Sequence, residues 1–583
     1  MLICNITIIY HPYLHKNYML LCNILQKSLP LSNNWSPIYY INIYKLYNIQ
    51  PCPQTLNHTK QFTPVFYMKH LHHIIKCLIL ALFTLPFNTW AQQAQNASYP
   101  DDPARIALPK EQQGLVIDRT FDNSTIYPGT TRTIKIYIPQ QYDGKTPACL
   151  LVCLDGAVYY GMTTVMDNLI TTGEMPVTIG VFVNPGVIYD KDGNVLRYNR
   201  SNEFDRIDGT FARFLETEIL PMVEDITLDD GRHISISKKA ADRAITGASS
   251  GGICSFVAAW SRPDLFSRVY CTVGTFVSMR GGHTIPALIR KTEPKPLRIY
   301  LHDGEFDAWN PLFGDWFEYN KLTEAALNFA GYEYTHRWDR SKHNIYHGAK
   351  LFPDAMRWLW RGYPNAPKAG KSLNNMLTTV LVDSVSWEET TEPQTIPATN
   401  AFPKKLNITN TVSLHNGNTY GTTANGEIWL KRNNEKPIKL NTLADCGSEI
   451  AVYPDATLLV QTEKNSDWLV AYTINPDGTL ANGEQFYWLH NTTHQSKREG
   501  HSMFFDTLGN LYIATESGIQ IADQNGRVRA IIPSHEGLIT RMTMQGNILY
   551  VVTDSGKAFR RTLKTSAHNP ADAPITPKSQ GQG

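Results

Sequence analysis

The sequence predicts an α/β domain, a parallel sheet with helices on both faces, followed by an all-β, propeller-like module. Three observations carry this. Between residues 108 and 365 short apolar runs alternate with stretches of helical period, as strand–helix–strand units do. Several of these runs, 148–154 and 177–183 above all, are apolar almost throughout, which marks strands buried on both faces. Beyond residue 404 a turn–strand–turn–strand unit recurs about every forty residues, the spacing of propeller blades.

The elements follow in order. Residues 1–67 are crowded with Tyr, Asn, Ile and Leu and show no sustained period; they read as a non-native upstream extension, with Met68 as the true start. From Met68, MKHLHHIIKCLILALFTLPFNTWAQQ has a basic head, an apolar stretch and a cleavage site at Thr89-Trp90-Ala91, so 68–91 is expected to be a signal peptide and the protein periplasmic or secreted. The alternative, an internal apolar helix, is disfavoured because 77–87 is too short to span a bilayer. Of nine cysteines, Cys149, Cys153, Cys254, Cys271 and Cys446 follow residue 91; they are expected to be buried free thiols.

The 583-residue chain carries 54 Lys and Arg against 52 Asp and Glu, with 42% hydrophobic and 18% charged residues. That balance describes a globular protein of more than one domain and gives no electrostatic reason for nucleic acid or an anionic membrane as partner. A mostly neutral ligand fits better. The α/β domain is assigned to 92–387, with strands at 133–138, 148–154, 177–183, 243–245, 298–302 and 332–338 and helices within GTFARFLETEILPMVEDI and DWFEYNKLTEAALNFAGY. The Thr- and Pro-rich stretch 388–404 is read as a linker. The repeats NGNTYGTTANGEIWLKR, PDATLLVQTEKNSDWLVAYTI, LGNLYIATESGIQIADQNGRV and QGNILYVVTDSGKAFRR place four or five blades in 405–565. The tail 566–583 has little to bury and is expected to be disordered.

The densest signal is RAITGASSGGICSFVAAW. Gly247-Ala248-Ser249-Ser250-Gly251 fits G-x-S-x-G between a strand and an apolar helix, where a strained serine presents its hydroxyl and glycines two residues either side avoid a collision. Ser249 has both flanking glycines; Ser250 has Ala248 at one of these positions, so Ser249 is preferred. A serine needs a base, and the base an acid to orient it. LRIYLHDGEFDAWNP runs from a strand into a loop with Asp303, Glu305 and Asp307, and YTHRWDRSKHNIYHG into a loop with His343 and His347. The order serine, acid, histidine is the one such a fold requires. The backbone N–H groups of Ser250 and of Ala157, in CLDGAVYY, are the candidate oxyanion donors.

Three segments, ITGASSGGICSFVAAWSRPDLFSRV, LHDGEFDAWNP and KHNIYHGAKLFPDAMRWLW, resemble the esterase family that includes enterochelin esterases, feruloyl esterases and acetylxylan esterases of carbohydrate esterase family one. The resemblance spans about 110–365 and implies an α/β-hydrolase fold, no cofactor, and ester cleavage through an acyl-enzyme with Ser249 as nucleophile, His343 as base and Asp307 as acid. RSNEFD is similar to a family segment beside the site, which makes Arg200 and Glu203 substrate or scaffold residues, an Arg–Glu pair holding the loop being the plainer reading. Tyr159, Tyr160 and Trp309 could stack on a feruloyl group or pack in the core. The repeats are similar to β-propellers of the senescence marker protein and gluconolactonase type, which have six blades and a divalent metal. This stretch is too short for six, and Glu499-Gly500 stands where that family has Asp-Gly, so a truncated or degenerate propeller that packs on the esterase or binds glycan is expected and no metal is assigned.

The leading expectation is a serine esterase acting on carbohydrate-linked acetyl or feruloyl esters. Alternatives are a metal-dependent sugar lactone hydrolase in the propeller, an enterochelin-type siderophore esterase, disfavoured because no basic cluster awaits an anionic catecholate, and a binding protein with a relic site.

Overall fold

The apolar runs become the centre of an eight-stranded sheet because they bury both faces. In this computed structural model, which describes residues 99–156, 161–391, 401–491 and 502–580, the strands are β1 (Leu115–Phe121), β2 (Arg132–Ile138), β3 (Cys149–Leu154), β4 (Thr178–Val183), β5 (Arg243–Ala248), β6 (Arg268–Thr272), β7 (Arg298–Gly304) and β8 (Glu333–Asp339). They lie in the order β1-β2-β4-β3-β5-β6-β7-β8. Every residue of β3 and β4 is buried. Alternate side chains serve opposite layers: Leu150, Val152 and Leu154 join one core, Cys149, Leu151 and Cys153 the other. Cys149, Cys153, Cys254, Cys271 and Cys446 are buried free thiols.

The sheet is mixed rather than wholly parallel: β1 pairs antiparallel with β2, and β2 antiparallel with β4. For β1 and β2 the cause is the short connection 122–131, which contains no helix to carry the chain back for a parallel pairing. Strands β3 to β8 are parallel. The helices that position the site are α1 (Met162–Thr171), α2 (Arg200–Phe204), α3 (Ser250–Ser261), α4 (Ile285–Lys291), α5 (Trp316–Ala330) and α6 (Ile345–Trp360). Asp315 caps α5 through the Glu318 N–H, and Gly331 ends it at φ 72°, as the glycine in the sequence predicts. At the carboxyl end of α6 the buried Arg268 and Arg298 guanidinium groups both donate to the Leu359 carbonyl, at 2.7 and 2.9 Å, placing positive charge where the helix presents unpaired carbonyls.

The β module holds four four-stranded sheets arranged as propeller blades. The first begins at Ile408–Ser413, the second at Cys446–Val452, the third at Met503–Phe505 and the fourth at Ile539–Gln545. The outer strand of the fourth is Glu388–Thr390, which pairs antiparallel with Ala558–Thr562. The stretch read as a linker thus opens with a strand that closes the last blade. Helix α7 (Asn375–Val380), assigned to the α/β domain from sequence, buries Met376, Leu377 and Val380 against Tyr512, Leu549 and Phe559 of the propeller.

Residues 566–580, expected to be disordered, are instead laid along the blades. The Thr507 N–H donates to the Ser566 carbonyl at 2.9 Å, His415 N–H to Pro570 at 3.0 Å and Ile575 N–H to the Pro454 carbonyl at 3.0 Å. The tail gains its order from backbone groups of the blade turns, not from a core of its own, so composition gave no sign of it. Residues 581–583 and the stretches read from sequence as an upstream extension (1–67) and a signal peptide (68–91) lie outside the described residues. Among the described residues no helix is long and apolar enough to cross a membrane.

The propeller joins the α/β domain just after α4. Thr292 bridges Ile531, Glu293 N–H donates to the Ile531 carbonyl at 2.9 Å, and Arg561 grips Glu293 with two hydrogen bonds of 2.6 and 2.7 Å. Asn374 donates to the carbonyls of both Arg290 and Arg529.

In the inner strand of the second blade, burial pushes Glu449 from 4.5 up to about 7; its Oε2 accepts from Asn410 Nδ2 at 3.3 Å. A carboxyl group with a raised folded-state pKa binds more protons folded than unfolded, so its ionisation removes stability as pH rises from 4.5 to about 7. Glu449→Gln should therefore melt above wild type at mildly alkaline pH, by roughly 1–3 kcal/mol in stability, and match it under mildly acidic conditions. Equal melting at alkaline pH would contradict this.

Candidate functional site

The turn between β5 and α3 is sharp enough to force one residue out of ordinary backbone space. Ser249 sits there at φ 59° and ψ −121°, a conformation that surrounding bonds must hold. They do: Ser249 N–H donates to the Thr272 carbonyl at 3.0 Å, and its own carbonyl accepts from Ile253 and Thr275 N–H at 3.1 and 3.2 Å. A Cβ on Gly247 would come within 2.3 Å of the Gly251 carbonyl oxygen, and one on Gly251 within 2.8 Å of Asp155 Oδ2. Gly247 is thus required by backbone crowding, and Gly251 leaves room for the Asp155 side chain.

The acid and histidine loops are joined by main-chain hydrogen bonds before their side chains meet. Glu305 N–H donates to the Asp339 carbonyl at 2.6 Å and Phe306 N–H to that of Ser341 at 3.0 Å. This brings the loop after β7 against the loop after β8. Asp307 and His343, 36 residues apart, then lie 2.5 Å from each other, Oδ1 to Nδ1, and His343 Nε2 lies 2.9 Å from Ser249 Oγ. With Nδ1–H directed at the carboxylate, Nε2 is the acceptor that faces the hydroxyl. The Asp307 side chain is fully buried, whereas that of His343 is 32% exposed, leaving the imidazole open to a ligand. Burial alone would raise the Asp307 pKa, but hydrogen bonds from His343 and Asp303 and the Ala308 N–H carry it below the usual value.

The other sequence candidates separate cleanly. His347 does not reach Ser249; its Nδ1 lies 3.0 Å from Asp339 Oδ2. Glu305 is exposed. Asp339 also takes Tyr99 OH and His302 Nε2, each at 2.9 Å, and the Ser341 N–H at 2.8 Å. Burial works against its ionisation, yet these donors hold its carboxyl well below the ordinary range. The result pins both ends of the His343 loop.

Arg200 and Glu203 do not pair with each other. Arg200 donates to both oxygens of Asp155, at 2.7 and 2.8 Å, and to the Ala248 carbonyl at 3.2 Å. It ties the loop after β3 to the turn that carries Ser249. Glu203 is fully buried and bound by Arg132 at 2.5 and 3.0 Å and by Asn199 at 2.8 Å. This corrects its expected place among substrate-contacting residues: no surface of it is left for a ligand, and it holds the scaffold under α2. Trp309 is 68% exposed on the short hairpin that follows Asp307. Ser250 opens α3, so its N–H is among those with no acceptor inside the helix. Ala157, Tyr159 and Tyr160 lie outside the described residues. Asp155 and Gly156, just before them, both have positive φ, 62° and 55°, and turn the chain sharply at the end of β3.

Two neighbours of Ser249 had no signal in the sequence. Thr275 Oγ1 lies 3.3 Å from Ser249 Oγ and accepts the Trp316 indole N–H at 3.2 Å. The Trp316 ring meets His343 edge-on, centroids 6.1 Å apart. In the propeller, Glu499 and Gly500 lie outside the described residues; among the described residues no group of three His, Cys, Asp or Glu could hold a metal ion.

The strand order, the sharp serine turn and a histidine and an aspartate on the last two strand-end loops define an α/β-hydrolase. Residues 125–346 match the family model described as "Putative esterase", and this part of the chain is an esterase-family domain. Comparison with curated proteins gives no match. Among solved structures, the chain is similar to the enterobactin esterase FES from Shigella flexneri, at 18% identity over 44% of this chain and 61% of that one, TM-score 0.34. It thus spans less than two thirds of that protein. Further similar structures are a ferulic acid esterase, at 18% identity over 43% of this chain and 98% of that one, TM-score 0.34, and the feruloyl esterase module from Clostridium thermocellum complexed with sinapinate, at 12% identity over 46% and 95%, TM-score 0.34.

Gly247→Ala should lower stability by about 1–3 kcal/mol, because backbone rather than a flexible side chain blocks the new methyl group. A variant with unchanged melting would refute the crowding argument.

Proposed function

We propose that the chain is a serine esterase that cleaves carboxylic esters through an acyl-enzyme. The observation that carries this reading is the continuous Ser249 Oγ–His343 Nε2 and His343 Nδ1–Asp307 Oδ1 contact, at 2.9 and 2.5 Å, on loops at one end of the sheet. In this reading His343 removes the Ser249 proton as Oγ attacks the acyl carbon. The imidazolium then returns that proton to the departing alcohol, and water repeats the cycle on the acyl-enzyme. Asp307 fixes the imidazole tautomer. Ser250 N–H, with that of Ala157, stabilises the oxyanion.

Exposed apolar side chains on the two loops favour an aromatic acyl group over acetyl in this reading. Phe306, Trp309 and Leu312 follow β7 and Tyr346 comes three residues after His343; they are 44%, 68%, 80% and 65% exposed, apolar surface of the kind on which a feruloyl ring packs. A feruloyl ester carried on carbohydrate is accordingly the proposed substrate class. Methyl ferulate and a nitrophenyl acetate, assayed with wild type, Ser249→Ala and Asp307→Asn, test this. The serine variant should lose on the order of 10⁶-fold in kcat and the asparagine variant about 10⁴-fold, with the ferulate preferred in kcat/KM. Undiminished hydrolysis by Ser249→Ala would overturn the mechanism, and preference for the acetate the acyl assignment.

Residues 68–91 are proposed as a signal peptide that directs the protein to the periplasm or beyond. Amino-terminal sequencing of the mature protein should begin near Gln92; a product that retains residues before Met68 would refute this.

A further inference from the structure

Strand β7 ends in two buried acids' worth of unusual chemistry, because Asp303 stands directly behind Asp307. The Asp303 side chain is fully buried. Its Oδ1 accepts the Gly304 N–H at 2.8 Å, and its Oδ2 is buried with no donor among the described residues. Asp307 is arranged in the same way: Oδ1 receives His343 Nδ1 and the Ala308 N–H, while Oδ2 is buried and equally without a donor. The two carboxyl side chains are nonetheless in hydrogen-bond contact with each other. Two ionised carboxylates have no hydrogen to share, so such a contact requires a proton on one of them.

We propose that Asp303 is a neutral carboxylic acid which donates its proton to Asp307 Oδ2, making it a positioning residue for the acid of the triad; this rests on the triad reading of Ser249, His343 and Asp307. The surroundings decide which partner keeps the proton. Asp307 faces the imidazole that gains positive charge during reaction, plus a backbone N–H. Asp303 faces one backbone N–H, the Asp307 carboxylate, the Asp339 carboxylate and the Cys271 thiol. Burial foremost, then the Asp307 charge, push its pKa well above the ordinary carboxylate range. The proton stays on Asp303 throughout; the hydrogen bond fixes the plane of the Asp307 carboxylate so that Oδ1 points at Nδ1, and it shares the negative charge that would otherwise favour protonation of Asp307.

Asparagine at 303 keeps an N–H donor, whereas alanine does not. Asp303→Asn should retain kcat within about threefold of wild type, with the acidic limb of the kcat/KM profile unmoved. Asp303→Ala should lose on the order of 10–100-fold in kcat at unchanged KM. If Asp303 were ionised, the asparagine substitution would remove a negative charge from beside His343 and move the acidic limb to lower pH; that shift, or a fully active alanine variant, overturns the proposal. A readout independent of catalysis is the infrared difference between wild type and Asp303→Asn at neutral pH. Loss of a protonated carboxylic acid carbonyl band is expected, and loss of a carboxylate band instead would refute the assignment. Should wild type and Ser249→Ala hydrolyse esters equally, the triad reading fails while the infrared result still decides the state of Asp303.

Discussion

The strained backbone of Ser249 is the constraint from which the rest of the site follows. A non-glycine residue at φ 59° costs on the order of 1–3 kcal/mol, and the chain meets that cost with three main-chain hydrogen bonds and two glycines. The gain is directional. A serine in an ordinary strand or helix would lie against its neighbours, whereas one held at the apex of the turn projects its oxygen above the sheet, toward the loops that end β7 and β8. The same turn begins α3 immediately after the serine, so the first helical N–H groups, which have no acceptor inside the helix, come directly after it in the chain.

Long sequence separation makes the second requirement harder. Ser249 and His343 are 94 residues apart, and a contact of 2.9 Å between side chains on separate loops is secure only if the loops are themselves fixed. The backbone bonds from Glu305 and Phe306 to Asp339 and Ser341 do this on one side, and the four donors on Asp339 do it on the other. Arg200 performs the corresponding task for the loop after β3, reaching Asp155 and the Ala248 carbonyl together. A guanidinium suits this role because its planar fork can satisfy a carboxylate with two nitrogens and still offer one to a third group. The candidate site is thus three loops, each tied to its neighbour by groups that do not themselves face a ligand.

What the sequence reveals and hides follows from whether a signal is local. The central strands were legible since burial on both faces leaves a continuous apolar run, and Gly247 since its crowding against Gly251 is written within five residues. Strand β6 was missed, and only the structure shows that its first residue, Arg268, is fully buried and spent on the end of α6. Strand β1 was missed because most of its side chains are exposed, so no apolar alternation marks it. Among the candidate site residues, Ser249, Asp307 and His343 could be placed by order along the chain and by resemblance. Thr275, Trp316 and the Asp303–Asp307 contact could not, for their meaning lies in which atoms meet across separate strands. Glu203 shows the converse error, a residue correctly noticed beside the site whose partner, Arg132, comes from a strand that no local pattern connects to it.

The place where the propeller is attached constrains what it can contribute. Its contacts through Thr292, Glu293 and Asn374 gather just before β7, at the amino end of a strand whose carboxyl end leads to Asp307. Seven residues of β7 at about 3.3 Å each set these two ends on the order of 20 Å apart. Hydrogen bonds do not act over that distance, so those contacts hold no part of the Ser249–His343–Asp307 arrangement directly. The Arg561–Glu293 pair, the shared apolar core and the bridge to Ile531 instead make the propeller a fixed companion of the sheet. In the proposed function, a module held in this way alters hydrolysis by raising the local concentration of a substrate it binds, which changes the dependence on substrate concentration, whereas these contacts do not reach His343.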